Sequence, residues 1–390
     1  MLLVCFLALF GFSRAASAYS SNPSPTVLLV DADKVQCPTA QYTTIQSAVN
    51  AASAGDVIRV CADTYAEQVT ITTPVTLRAD NGVIVMPSGM TQNATDVSGS
   101  GAIAAVFVVN GVQGVDIEGF IVDGSSNGIT GCSPQLIGIL YQNSTGRVRR
   151  NAVRHLVLGT SDDGCQSGNG IEVETASGMT SDVEVSENSV WDYQKDGIAA
   201  LNAGTQAFVN GNVVSGLGPT TGAAANGIEI SSGAGANVTN NTVTDNIWSP
   251  CVSPTVCTAN AAGILIYQSN SIFVGNNSIA TNQVGIYVIG NSSKIMSNNV
   301  SNSVTLIGIA LVGNNNTAKM NELFHADQAG LYIQGNSNGV FGNQITDATV
   351  GILVVSGSTG NNIHGNSFFA DGATVQDPAA ARPMTAQPLR

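Results

Sequence analysis

Two glutamates, Glu172 and Glu229, sit directly after the same Asn-Gly-Ile triplet in "NGIEVE" and "NGIEIS". In a chain with few charged residues, that coincidence points to paired carboxyl chemistry. One carboxyl group donates a proton to a leaving oxygen while the other activates water, and separations of about 6.5–9.5 Å suit inverting glycoside hydrolysis. Asp163 with Asp196 is a second candidate pair. The stretch "HLVLGTSDDGCQSGN" carries His155, Asp162 and Asp163, and "SVWDYQKDGIAAL" carries Trp191, Asp192, Tyr193, Lys195 and Asp196. Asp245 and Trp248 follow. Aromatic faces stack on the C–H faces of sugar rings, so Trp191, Tyr193 and Trp248 are candidate substrate-binding residues.

A different chemistry, β-elimination on a uronic-acid polymer, needs a base and a cation that neutralises the sugar carboxylate. "GRVRRNAVRH", Gly146–His155, supplies Arg149 and Arg150 as binding candidates. Arg154 or Lys195 is the candidate base, and Asp162, Asp163 and Asp196 offer oxygens for calcium. Plain structural roles are open to the same residues. Asp196 precedes a Gly as Asn169 and Asn226 do, which fits an ordinary turn. Glu172 and Glu229 fit solvated outward positions, Trp191 and Tyr193 fit cover for a neighbouring loop, and the arginines fit surface ion pairs. His325 and His364 fit turns, and Tyr287 and Tyr332 fit surface stacking between neighbouring repeats.

The frame for these residues is an internal repeat. A Gly-Ile/Leu-x-apolar element begins at Gly138, Gly170, Gly197, Gly227, Gly263, Gly285, Gly308, Gly330 and Gly351, and the last five are 22, 23, 22 and 21 residues apart. An Asn-x-apolar element alternates with it from Asn151 to Asn366. Each repeat holds short stretches of alternating apolar residues between Gly/Asn turns, the pattern of strands rather than helices. Coils of this length, stacked about 4.8 Å apart, make a parallel β-helix. Asparagine at matching turns can adopt the left-handed conformation and bond to the coils above and below.

Interruptions of a solenoid are where binding loops fall. From Asn to the next Gly-Ile the regular coils take 8–10 residues, against 19 after Asn151, 15 after Asn212 and 22 after Asn241. The three long segments therefore share one corner. The short coil between the first two carries Trp191, Tyr193 and Lys195.

The first coil differs. "YTTIQSAVNAASAGDVIRV" places Ile45, Ala48, Val49 and Ala52 on one helical face, a cap for an open stack. With "ADTYAEQVTI", Ala62–Ile71, it resembles the N-terminal cap of secreted right-handed β-helix (PbH1-repeat) proteins of the pectate-lyase-like superfamily. There a Thr-Ile-Gln helix, a Gly-Asp before the first strand and a Thr-Tyr-x-Glu turn recur. The resemblance runs to about Phe369 and implies an all-β fold, a single right-handed parallel β-helix with an N-terminal helical cap. Right-handed crossovers are also the physical default. It implies a polysaccharide partner for a lyase or glycoside hydrolase on acidic or plant-type glycans, or for a non-catalytic glycan- or surface-binding protein. "SDDGC" looks like the Asp-Asp of β-helix polygalacturonases, but their Asn-Thr-Asp and Gly-His-Gly are missing, as is the Asp-Pro-His-Asp of alginate epimerases. The copper-site assembly factor for nitrous oxide reductase shares the cap and the Gly-Ile repeats; three His and seven Met are few for such a role.

Forty-three glycines and 10% charged residues disfavour a helical protein. The net charge of -13 argues against nucleic-acid or anionic-membrane partners. Residues 1–18 read as a signal peptide, with a short apolar run and Ala16-Ser17-Ala18 for cleavage. A secreted or periplasmic monomer follows, divided into a cap segment over 19–56, the β-helix over 57–370 and a disordered tail over 371–390. The six later cysteines then favour disulfides, with Cys251–Cys257 the first choice by proximity, followed by Cys37–Cys61 and Cys132–Cys165.

Overall fold

The computed structural model describes residues 25–250, 260–303 and 306–376. Strands stack in register into a parallel β-helix with three faces. One face is a 13-stranded parallel sheet running from Val27–Val30 to Asn362–His364. The other two rise beside it, one through Ala152–Leu156, Ser189–Tyr193 and Val213–Thr220, the other through Asn169–Glu174, Asp196–Leu201 and Asn226–Ser231. Among the described residues the single antiparallel pair joins Ala94–Thr95 to Ala102–Asn110. The stack begins at Val27–Val30, earlier than the sequence boundary, and Ala373–Gln376 is a strand within the expected tail. The tail beyond it and the signal peptide lie outside the described residues.

The Gly-Ile element is the inward face of the third sheet. Ile171, Ile198, Ile228, Ile264 and Ile286 stack directly above one another in the core. Full burial of each contributes about 1.5–3 kcal/mol. The glycine is fixed by space: a Cβ on Gly170 would lie 2.5 Å from both Gly197 O and Val190 Cγ1.

The second element forms a buried asparagine ladder. Asn298 Oδ1 accepts from the backbone N–H and side-chain amide of Asn277 (3.0 and 2.9 Å), and Asn298 Nδ2 passes the pattern to Asn321 Oδ1 (3.0 Å). The same geometry links Asn151, Asn188, Asn212 and Asn241. The left-handed residue is not the ladder asparagine but the one before it, as at Glu187, Asn240, Asn276 and Ser297, each with φ 56°.

The cap motifs have explicit work. The helix Ile45–Ala51 is shorter than the apolar pattern predicts, with Ala52 already its C-cap. Glu67 accepts from the N–H groups of Ile45 (2.7 Å) and Gln46 (2.9 Å), satisfying the open helix end. Gln46 bonds Thr70 N and Thr70 O, closing the edge of the strand Val69–Ile71. Asp56 takes the N–H groups of Thr26 and Ser53; these bonds hold its carboxyl below the usual range. Disulfides join Cys37 to Cys61 and Cys132 to Cys165. Cys251–Cys257 lies outside the described residues. No helix among the described residues is long and apolar enough to cross a membrane.

Candidate functional site

The outward positions of the third sheet divide into zones. Val108 and Leu140 head one ladder, followed by Glu172, Ala199, Glu229, Leu265 and Tyr287. A neighbouring ladder runs from Ile137 through Asn169 and on to Asp196, Asn226 and Ala262. Apolar clusters thus flank a polar band three coils wide.

Hydrogen bonds cross that band from coil to coil. Asn169 Nδ2 donates to Glu172 Oε2, and Asn169 Oδ1 accepts from Asp196 N–H (3.2 Å). Asn226 Nδ2 donates to both Asp196 Oδ1 (3.0 Å) and Glu229 Oε2 (3.1 Å). Lys195 Nζ lies 3.9 Å from Asp196 Oδ1 and donates to Ala224 O (3.1 Å). Glu172, Lys195, Asp196 and Glu229 therefore come together. They point outward as expected but are not solvated: Glu172 is 1% exposed, Glu229 7% and Asp196 0%. Asp196 is more than a turn residue, since its carboxylate joins two coils.

Two clefts open beside the band. The larger, about 560 Å³, is lined by Glu172, Glu174, Asp96, Ser98, Gln135 and Gln166, among others, and the Cys132–Cys165 bridge borders it. Burial raises the Asp96 carboxyl, but the Ser98 hydroxyl and the amides of Gly101, Ser100 and Gly99 outweigh this and hold it below the usual range. Gln142 Nε2 donates to Glu174 Oε1 (2.7 Å). Glu174 was legible as the next outward position of the same strand. Asp96 was not, because it lies in an irregular segment without a period.

The smaller cleft, about 370 Å³, lies at the corner of the insertions, between Leu158, Thr160, Asp163 and Gln194 on one side and Leu217, Pro219 and Ala223 on the other. Ala223 N–H donates to Asp163 O (2.8 Å), and Trp248 Nε1–H donates to Gly222 O (2.9 Å), so the three insertions brace one another. Gln194 braces the first from below, accepting from Leu158 N–H and donating to the carbonyls of Asp162 and Cys165.

Several expected residues lie elsewhere. Tyr193 is inside the coil, 0% exposed, with its hydroxyl donating to Asn246 Oδ1 (2.6 Å), so it offers no face for a sugar to stack on; burial raises its phenol well above the usual range. Neither tryptophan lines the corner cleft: Trp191 lies beneath the Arg154 guanidinium, 6.0 Å from it, and Trp248 is held in the insertion wall. Arg154 pairs with Asp123 (2.8 Å), Arg149 with Glu118 (3.0 Å), and Arg150 with Glu118 and Glu187. Asp162 accepts from Gly131 N–H while Asp163 faces the corner cleft. With Asp196 buried under Asn226, Asp162, Asp163 and Asp196 do not gather as calcium ligands. The acidic trio within 4.8 Å is instead Asp31, Asp33 and Asp63, near the cap. His155 pairs with Asp192 (3.0 Å) and His325 with Asp347 (2.8 Å), both at a corner. Tyr287 and Tyr332 are buried in the outer apolar cluster with Leu265 and Leu353, not on the surface.

The stack, its cap and its ladders define a single right-handed parallel β-helix. Among solved structures, a lacto-N-biosidase of glycoside hydrolase family 136 from Eubacterium ramulus aligns with TM-score 0.63 at 11% identity, over 90% of this chain and 68% of its own. XylC in complex with xylose aligns at 0.58 and 9% identity, over 88% and 86%. DFA-IIIase from Arthrobacter chlorophenolicus A6 with DFA-III aligns at 0.50 and 14%, over 91% and 86%. At these identities the likeness is one of fold. The family described as "Periplasmic copper-binding protein (NosD)" matches residues 220–381. No curated protein matches the sequence. Copper prefers imidazole and sulfur donors. In the matched span, however, His325 faces Asp347 and Asp327, and His364 stacks on Phe341 on another face. Among its described residues no three His, Cys, Asp or Glu side chains gather within 4.8 Å, so these donors form no preformed copper site there.

Proposed function

We propose that this is an exported β-helix protein that binds polysaccharide and acts on it with the carboxyl groups of the third sheet. The observation that carries the reading is the joining of Glu172, Asp196 and Glu229 through Asn169 and Asn226 beside a cleft that Glu172 and Glu174 line. Glu172 and Glu229 are two coils apart, about 10 Å between backbones along the stack, close to the carboxyl separations of about 6.5–9.5 Å that suit inverting hydrolysis. The xylose in one of the similar structures and the lacto-N-biosidase named in another agree with it. Two disulfides fit an oxidising compartment, secreted or periplasmic. Incubation with a polysaccharide panel, with and without calcium, tests it by new reducing ends and by ultraviolet absorbance of unsaturated products. Glu172→Gln should abolish whichever signal the native protein gives. Silence in both assays together with no retention of any glycan would sink the reading.

A second reading, a periplasmic accessory protein of the NosD kind, rests on the match over residues 220–381. Copper titration tests it: stoichiometric binding that is lost in His325→Ala or His364→Ala would favour it over the glycan reading.

A further inference from the structure

We propose that the cleft beside Glu172 selects an uncharged glycan and rejects uronic-acid polymers. The inference rests on the polysaccharide reading and narrows its substrate class.

The argument is one of charge placement. The cleft and the band beside it hold the carboxyl groups of Asp96, Glu172, Glu174, Asp196 and Glu229. A sugar carboxylate entering there needs a cation in reach, because like charges brought together in a desolvated groove repel strongly. Lys195 is the cation of the band, and it is spent: its ammonium is buried between Asp196 and the Ala224 carbonyl. The arginines of these coils point to other faces. Arg147 pairs with Asp116 on the 13-stranded sheet, Arg149 and Arg150 converge on Glu118 at its edge, and Arg154 is held by Asp123 on the second face. The basic run that made elimination on a uronate plausible is therefore a set of ion pairs, and each guanidinium is aimed away from the acidic cleft.

The remaining polar groups of the cleft suit hydroxyls. Ser98, Gln135, Gln166 and Asn202 line it with the carboxyls. Carboxylates accept strongly from sugar O–H groups, and the amides both donate and accept. An uncharged sugar presents that mixture of donors and acceptors without adding charge.

Calorimetry on the full-length protein tests this with neutral oligosaccharides (xylo-, galacto- and N-acetylhexosamine-containing) and with oligogalacturonate and oligomannuronate, each with and without calcium. The expected result is saturable binding of at least one neutral series, with uronates at least about tenfold weaker in both buffers. The neutral affinity should be nearly unchanged by added salt. Uronates binding as tightly as neutral sugars, with or without calcium, would overturn the inference and leave the polysaccharide reading standing. Binding of neither class would sink that reading and this inference with it. Glu174→Gln should weaken the neutral ligand about tenfold, the loss of one hydrogen bond to a charged group, and narrow the discrimination against uronate. Asp96→Asn, in an irregular segment outside the stacked coils, should narrow it in the same direction without disturbing the ladders. Discrimination unchanged in both variants would also overturn the proposal.

Discussion

The interrupted coils between Gly138 and Ser249 and the regular coils after Gly263 share the same inward isoleucines and the same asparagine ladder. They differ on the outside of the third sheet. At one ladder position the interrupted coils carry Glu172 and Glu229, whereas the regular coils carry Leu265, Tyr287 and Tyr332. A solenoid fixes its fold from the inside and its ladders, so the outer position is left to vary coil by coil. Buried carboxyls at that position are costly unless paired; the molecule keeps them where Asn169 and Asn226 donate to them. Under the proposed function, the difference assigns stability to one region and chemistry to the other.

The largest effect should come from Glu172→Gln set against Tyr287→Phe. If Glu172 is the acid or base, the first variant loses about two to four orders of magnitude in turnover with its unfolding midpoint nearly kept. The second should leave turnover untouched. Equal activity in the two variants would erase the division between the regions.

Next in size is the ladder itself. Asn298→Ala removes the acceptor of two bonds from Asn277 and the donor to Asn321, Val274 and Met296. In this buried site the cost should be about 2–4 kcal/mol, read by urea unfolding. Asn212→Ala should cost as much, since the interrupted coils use the same ladder. A much smaller loss there would show that the insertions carry the stability of their own coils.

Glu229→Leu tests the comparison from the other side, by giving an interrupted coil the residue of a regular one. Removing one partner of a buried polar pair leaves Asn226 Nδ2 without its bond to Glu229, so stability should fall by about 1–3 kcal/mol. Glycan binding should fall. A variant that unfolds would instead make the acidic band part of the fold's support.

The architecture was readable because it repeats: period, apolar alternation and Gly-Ile pairs are statements about the inside of a coil, and each of them is a packing constraint. The corner of the insertions was readable for the same reason, as a departure from that period, and Asp163 and Gln194 do line a cleft there. The carboxyl pairing of Glu172 and Glu229 was readable as an address, though not as a buried one. Burial of an outward residue depends on distant segments such as Val97–Ser98 and Cys132–Gln135 folding over it, and no local pattern encodes that. Tyr193 was misplaced because residues two apart on a strand share a face, which set it beside Trp191; the left-handed Asp192 between them (φ 53°) breaks that alternation and turns Tyr193 inward.

The smallest effect concerns the corner that both regions share. His155 faces Asp192 in the interrupted coils and His325 faces Asp347 in the regular ones, with Asp327 also near the latter. The hydrogen bond to Asp347, then the charges of Asp347 and Asp327, raise the His325 imidazole above its ordinary 6.5. A histidine whose folded value is raised stabilises the fold fully below its unfolded value, and that contribution is lost as pH rises through the folded one. Proton NMR should therefore give His325 a midpoint above 6.5, and Asp347→Asn should lower it. Because the pair is half exposed, its weight in stability is small. A midpoint that Asp347→Asn leaves unmoved would show that the corner pairing is absent in solution, and that the two regions differ at this corner as well.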